Sequence, residues 1–533
     1  MVKRGSIVGA AILASSSLAS GAHAMPPSAP VSVAWQNPTV APASPFATPK
    51  VQLGLNHFPG SKGLLSGVPR ASTTKLFGAP GYAVRRDYDQ PLPNQSNLRY
   101  LRAAANVVIA NYFVWQQNWI GGREYIFPTR DAWSKALKDG FEWDKDPIQT
   151  NFFGHPYNGS FYFTGARAAG LTFWEAVPYT LGGSLSWELF SETERPSMND
   201  IFSTTFGGII LGEVLYRVSS QVLDDSKSGW ERLGRELLGA GIAPLRGFDR
   251  LYTRSAWKDG PAPIKRRFEI ALNTGLERVG TIEFNNEIPA TDSEPTVDDK
   301  RNALLTAVQV DYGDWLPTHE NGTLGPFDAF RFYAAANLSS RNGFQGVQIY
   351  GDGLIHGWSS FLTKDTGHDQ DNNVLGFSAT YDYQGISQVN LSGIGMGPSD
   401  TIVFRRSNGQ SFRLGLDFQW VPILGTTSAD TSDSGRDYNL AVGAAAGAHM
   451  QWDLARWGRL GFRTRHYLGA VVSGEDGTEY TQYSRLWYEI DVVPKLLGLG
   501  IAPTIVSRYG KYDNGTVFRG NFESTQFYVT LHN

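Results

Sequence analysis

SFRLGLDFQW, residues 411–420, puts Phe412, Leu414, Leu416, Phe418 and Trp420 on one side of an extended chain. Ser411, Arg413, Gly415, Asp417 and Gln419 fall on the other. Successive side chains of a strand point to opposite faces, so this run predicts a strand with one apolar face and one polar or small face. The same period recurs at 268–273 (FEIALN), 374–383 (VLGFSATYDY), 438–452 (YNLAVGAAAGAHMQW), 459–468 (RLGFRTRHYL) and 485–492 (RLWYEIDV), and it continues to the C-terminus. A soluble sandwich also alternates, burying its apolar face. These runs are long for soluble sheets, their aromatics cluster near strand ends, and the second face suits a wet lumen. The expectation is α+β: an N-terminal helical module followed by an antiparallel membrane β-barrel of roughly 12 strands. Asn533, where bacterial barrels usually end in an aromatic, runs against this, although Phe527 and Tyr528 lie close by.

Ahead of the alternation the period is helical. Leu98 to Trp119 is Ala-rich, carries apolar residues at three-to-four spacing and stops at Gly121-Gly122. Ser160 to Ala176 reads as a helix interrupted near Pro178, with a second run from Leu181 to Glu192. Ser197-Met-Asn-Asp200 is an S-x-x-D start whose Ser caps a helix to about Val222. Gly208-x-x-x-Gly212 on that helix allows a neighbouring helix to approach closely. A shorter helix covers Trp230 to Leu238.

Residues 1–24 read as a secretory signal: Lys3 and Arg4, an apolar core from Ile7 to Ala19, and an Ala22-His23-Ala24 cleavage site. Residues 25–97 form a Pro-, Ala- and Ser-rich lead-in, 98–245 the helical domain, and 246–533 the barrel. No later stretch reaches spanning length free of charges. The chain has no Cys, which removes disulfides, thiolate metal sites and Cys nucleophiles. A net charge of −3 argues against nucleic acid as a partner. Membrane lipids are the expected partners, at a bacterial outer membrane reached through the periplasm.

The polar residues of 151–217 are the candidate site. His155 could act as a base oriented by Asp200 or Glu188, or it could simply bridge helices. Glu188 and Glu192, four apart, could share a proton or form an ion-paired face, with Arg167 and Arg195 as partners. One nearby His is too few for a metal site, and no cofactor is expected. Glu213 and Arg217 have the spacing of an intrahelical ion pair. Asn199-Asp200 and Trp187 complete the cluster. In the barrel, His356-Gly-Trp-Ser359 and His449 match lipid hydrolases only weakly, and Arg406-Ser407-Asn408-Gly409 reads as a hairpin turn.

Asn151, His155-Pro156-Tyr157, Gly159-Ser160, Arg167, Gly170, Ser184, Trp187-Glu188 and Glu192 carry a resemblance. So do Pro196-Ser197, Asn199-Asp200, Gly207-Gly208, Gly212-Glu213 and Arg217. Together they resemble an uncharacterised bacterial envelope family, domain of unknown function 3943. The resemblance implies a helical module ahead of a barrel and brings no activity. The expected function is therefore a non-enzymatic envelope or transport role. The helical module plugs or caps the lumen, and its charges are met by lumenal Arg413, Arg463, Arg465 and Asp417. Two alternatives stand beside it: an envelope lipid-modifying hydrolase using the His/acid cluster, and a periplasmic carbohydrate-binding sandwich.

Overall fold

A computed structural model of the chain describes residues 87, 89–90, 96–287, 296–297, 301–313, 322–339, 343–361, 370–386, 389–427 and 438–533. The secretory signal, nearly all of the lead-in and most of the acidic loops lie outside them.

The helices come first: α1 (Leu98–Ile120), α2 (Arg130–Asp139), α3 (His155–Ala168), α4 (Phe173–Phe190), α5 (Met198–Phe202), α6 (Gly208–Val222), α7 (Gly229–Ile242) and α8 (Pro244–Tyr252). Wider turns at Thr150–Gly154 and Ser203–Gly207 lead into α3 and α6. Ser197 caps as its sequence predicts, its hydroxyl accepting the Asp200 amide at 3.2 Å. The helix break expected near Pro178 falls earlier, at Gly170, whose φ is 93°. Thr172 and Glu175 then close a capping box that starts α4 afresh. Pro178 sits inside that helix, so two sequence signals competed and the cap set the boundary. The run from Met198 to Val222 is long and apolar enough to cross a membrane by length and composition, but 72% of its 18-residue apolar stretch is buried.

Twelve long strands follow: β1 (Phe268–Glu287), β2 (Arg301–Tyr312), β3 (Phe330–Ser339), β4 (Gly343–Phe361), β5 (Gln370–Ile386), β6 (Val389–Arg405), β7 (Gln410–Thr427), β8 (Tyr438–Leu454), β9 (Gly458–Ser473), β10 (Gly477–Val493), β11 (Leu497–Tyr512) and β12 (Val517–His532). Each pairs antiparallel with the next, and β12 returns to β1 (Ala271 opposite His532), closing the barrel without a free edge. Arg406–Gly409 is the β6–β7 hairpin turn, with Gly409 at φ 85°.

Contacts across the barrel fix which face is the lumen. Arg463 of β9 pairs with Asp382 of β5 at 2.8 Å, and Arg413 of β7 with Asp311 of β2 at 2.6 Å. Arg465 reaches Asp417 at 2.8 Å, and Glu277 accepts from Ser524 at 2.8 Å. The strands in each of the first three pairs are not neighbours in the sheet, so these side chains meet inside it. Residues one position away face outward, as Leu375, Phe377, Leu416, Phe418 and Trp420 do, all exposed. That is the apolar outer belt of a membrane barrel.

The helices pack on that outer face. Asp382 points inward, so its neighbours Tyr381 and Tyr383 point outward. Tyr381 donates to the Phe152 carbonyl at 2.6 Å, and Tyr383 stacks on Phe153, centroids 5.8 Å apart. Asn439 bonds lumenal Glu479 at 2.7 Å, while the adjacent Tyr438 meets Phe152 edge-on at 5.7 Å. Outward Tyr312, Phe332, Ile349 and Ile394 share one buried apolar cluster with helical Phe163, Ile209, Ile210 and Val214. The expectation of a plug or cap is therefore corrected: the module lies beside the barrel. The lumenal charges named as its partners pair with lumenal residues, Arg413 with Asp311, Arg463 with Asp382 and Arg465 with Asp417, and none of these pairs involves a helix residue.

Candidate functional site

The close crossing of α3 and α6 builds the site. A Cβ on Gly159 would stand 1.9 Å from the Thr204 carbonyl oxygen, and one on Gly208 would stand 2.5 Å from Gly159. Only backbone against backbone fits there, and this brings His155 and Asn151 beside the residues of α5.

Two polar clusters result. The first lies by Tyr438, the first residue of β8. The Asp144 carboxylate accepts from Asn151 at 2.9 Å and from Asn199 at 2.8 Å. Asn151 also donates to the Tyr438 hydroxyl at 2.7 Å. His155 places Nε2 3.3 Å from Asp200 Oδ2 and Nδ1 3.1 Å from the Thr204 hydroxyl. Asp200 and Asp144 are hydrogen-bonded, and burial together with the neighbouring carboxylates raises the Asp200 carboxyl well above its ordinary value. Burial opposes ionisation of Asp144, but hydrogen bonds from Asp200, Ser197, Asn199 and Asn151 outweigh it and hold the carboxyl at about 2. Burial pushes His155 down to about 4 against the pull of Asp144, so the imidazole is neutral at pH 7. Glu188 is buried and accepts the Ser197 amide at 2.8 Å, with Glu192 bonded to it.

The second cluster lies by Tyr312, at the end of β2. Glu213 sits between Arg167 at 2.9 Å and Arg217 at 2.7 Å. Arg217 continues to Asp328 at 3.2 Å and to the Pro326 carbonyl at 2.7 Å, both in the segment before β3. The Asp89 carbonyl accepts from Arg167 at 2.8 Å.

The structure thus joins His155 to Asp200 and Arg167 to Glu213 and Arg217. It does not join Glu188 to His155. Arg195, offered as a partner for Glu188 and Glu192, pairs with Glu142 instead, at 2.9 Å. Trp187 packs with Val107, Phe161 and Tyr162 in a separate core. Ser160 donates to the Tyr157 carbonyl at 2.6 Å, away from His155. Sequence reading missed Asp144 and Thr204. Thr204 lies one helical turn after Asp200, a usable signal, whereas nothing in FEWDKDP marks Asp144. Among the described residues no group of three or more His, Asp or Glu could hold a metal ion.

The helical-module residues of both clusters, Asp144, Asn151, His155, Asn199, Asp200 and Thr204 in the first and Arg167, Glu213 and Arg217 in the second, fall within one family match. Residues 140–245 carry a domain of unknown function, DUF3943. The DUF3943 residues hold both helix-to-barrel anchors, Asn151 and Arg217, while the barrel itself lies outside the matched segment. No curated protein matches the chain. Solved outer-membrane barrel proteins are similar to about half of the chain. DcaP, an outer membrane channel of Acinetobacter baumannii, shares 7% identity over 50% of this chain and 96% of its own, with a TM-score of 0.22. A FadL homologue of Pseudomonas aeruginosa shares 10% over 50% and 90%, with a TM-score of 0.19. The P. putida toluene transporter TodX shares 10% over 51% and 90%, with a TM-score of 0.20. At such scores the likeness carries no argument about function.

Proposed function

We propose that this chain is a bacterial outer-membrane β-barrel protein, exported through the periplasm, with a non-enzymatic envelope role. In it the DUF3943 helices form a lipid-facing annex clamped to the outer wall. One observation carries this reading: the helices cover outward Tyr381, Tyr383 and Ile394, while Leu375 and Phe377 on the same outer face of β5 remain exposed and apolar. Helix and lipid therefore share one surface. The annex has its own apolar outside, with Leu101, Val108 and Tyr112 exposed along α1 and Trp174 and Leu181 along α4. The charges packed between the helices and the wall, Arg167, Glu213 and Arg217, are buried and paired, as a lipid setting requires, while α2 keeps Arg130, Asp131, Lys135 and Lys138 exposed at one end of the annex. The lumen is crossed by ion pairs, which supports an anchoring role over an open pore.

Spin labels at Leu101→Cys and Val108→Cys, in a chain with no other Cys, test the lipid-facing claim. Collisions with oxygen should dominate over collisions with a water-soluble nickel chelate in native membranes. The reverse preference would place the annex in water and refute the reading.

The second reading, a lipid-modifying hydrolase, is favoured by the Thr204–His155–Asp200 chain, which can pass a proton. Thr204 is only 4% exposed, however. Lipid A and phospholipid mass spectra that change on overexpression, and revert with His155→Gln, would favour it over the anchoring role.

A further inference from the structure

Inside the barrel, nearly every lumenal arginine has a carboxylate. Arg413 has Asp311, Arg463 has Asp382, Arg465 has Asp417, and Arg508 has Glu479 at 2.5 Å. Arg485 differs. It is 7% exposed, and among the described residues it forms no ion pair. It donates one hydrogen bond, from Nη2 to Gln526 Oε1 at 3.0 Å, and lies over the Tyr333 ring at 4.3 Å. Its Nε has no hydrogen-bond partner among the described residues, and neither do His449 Nε2 and Trp487 Nε1. All three residues line one lumenal cavity, with about 60 Å³ of space for water-sized groups, whose walls include the rings of Tyr333, Tyr350 and Tyr483.

An unpaired buried guanidinium is costly, and its planar fork matches a carboxylate. Buried donors without acceptors are equally uncommon. Here a cation, the Trp487 indole N–H and the His449 Nε2, a donor when that nitrogen carries the ring proton, line a chamber walled by flat aromatic faces. We propose that this cavity binds a small aryl carboxylate, with the anion on Arg485, the Trp487 indole N–H and His449, and the aryl group against the tyrosine rings. The paired arginines nearby are already neutralised, so the site takes one negative charge and not a polyanion. Selectivity follows from the same geometry, since a neutral amide of equal shape would leave the Arg485 charge uncompensated.

The test uses the full chain purified in detergent, with benzoate as probe in equilibrium dialysis and benzamide as the neutral analogue. Saturable benzoate binding is expected, at least tenfold weaker in Arg485→Met, with no saturable benzamide binding. Absence of benzoate binding to the wild type would overturn the proposal, as would equal binding of benzamide. Unchanged binding by an Arg485→Met protein that keeps its heat-dependent gel shift would do the same. Should that variant fail to fold, Trp487→Phe removes the N–H and keeps an aromatic wall. Weakened benzoate binding then supports the site, and unchanged binding refutes it.

Discussion

The Asn151 side-chain amide donates to the Tyr438 hydroxyl at 2.7 Å, tying the turn before α3 to the first residue of β8 on the barrel's outside. Asn151 is fully buried and serves Asp144 as well. Tyr438→Phe should lower the midpoint of urea unfolding by an amount equivalent to about 1 kcal/mol, one hydrogen bond. Asn151→Ala should cost more, roughly 2–3 kcal/mol, because it also strips a donor from the half-buried Asp144 carboxylate. Loss of the gel-shifted form with increasing urea reads both.

Glu213 lies between two buried arginines. Glu213→Ala leaves both cations without their shared carboxylate and should destabilise by roughly 3–5 kcal/mol. The expected readout is a sharp fall in the amount of folded protein in the outer-membrane fraction. A normal amount of folded protein would show that the cluster does not hold the annex in place.

The Gly159–Gly208 crossing gives a steric prediction with a built-in control. Gly159→Ala inserts a methyl 1.9 Å from a backbone oxygen, so α3 and α6 must separate, and the loss should be at least about 2 kcal/mol. Gly182→Ala, in α4 with nothing within 4 Å, should be neutral or stabilising by up to about 1 kcal/mol through helix propensity. Thermal loss of the gel shift should separate the two variants clearly.

His155 makes the annex acid-sensitive. Its folded pKa is depressed from 6.5 to about 4, so between those values the unfolded chain binds more protons than the folded one. The His155 contribution to stability therefore rises with pH across that window and is lost as pH falls from 6.5 towards 4, by up to about 3 kcal/mol. The raised carboxyls of Asp200, Glu188 and Glu192 act in the opposite direction. Asp144, held at about 2, adds a further loss only below its ordinary 3.8. Unfolding midpoints of wild type and His155→Gln, compared at pH 7 and pH 4.5, should differ in slope, with the wild type losing more stability on acidification than the variant. Parallel profiles would show that His155 is not buried as a neutral group.

The barrel was legible because its signal is local. Period-two alternation such as Phe412 to Trp420 survives whatever the tertiary setting, and Ser197 announced its helix start by the same kind of short-range rule. The Glu213–Arg217 pair was also readable, being four apart on one helix. The side of the wall that carries the helices was not. Tyr381, Tyr383 and Ile394 are apolar and outward-facing, just like Leu375 and Phe377, and a strand residue reads the same whether helix or acyl chain covers it. Pro178 misled because a proline within an otherwise helical pattern usually marks a break. The role of Asp144 depends on contacts with Asn151 and Asn199, far apart in the chain, and no spacing rule reports them.

Placement of the helices outside the barrel is tested most directly by paired cysteines. Phe153→Cys is combined in one protein with Tyr383→Cys, which faces outward, and in another with Asp382→Cys, which faces the lumen. A short bifunctional thiol reagent applied to native membranes should cross-link the Phe153/Tyr383 pair and leave the Phe153/Asp382 pair unlinked. Cross-linking to position 382 without cross-linking to 383 would put the helices inside the barrel and contradict the account.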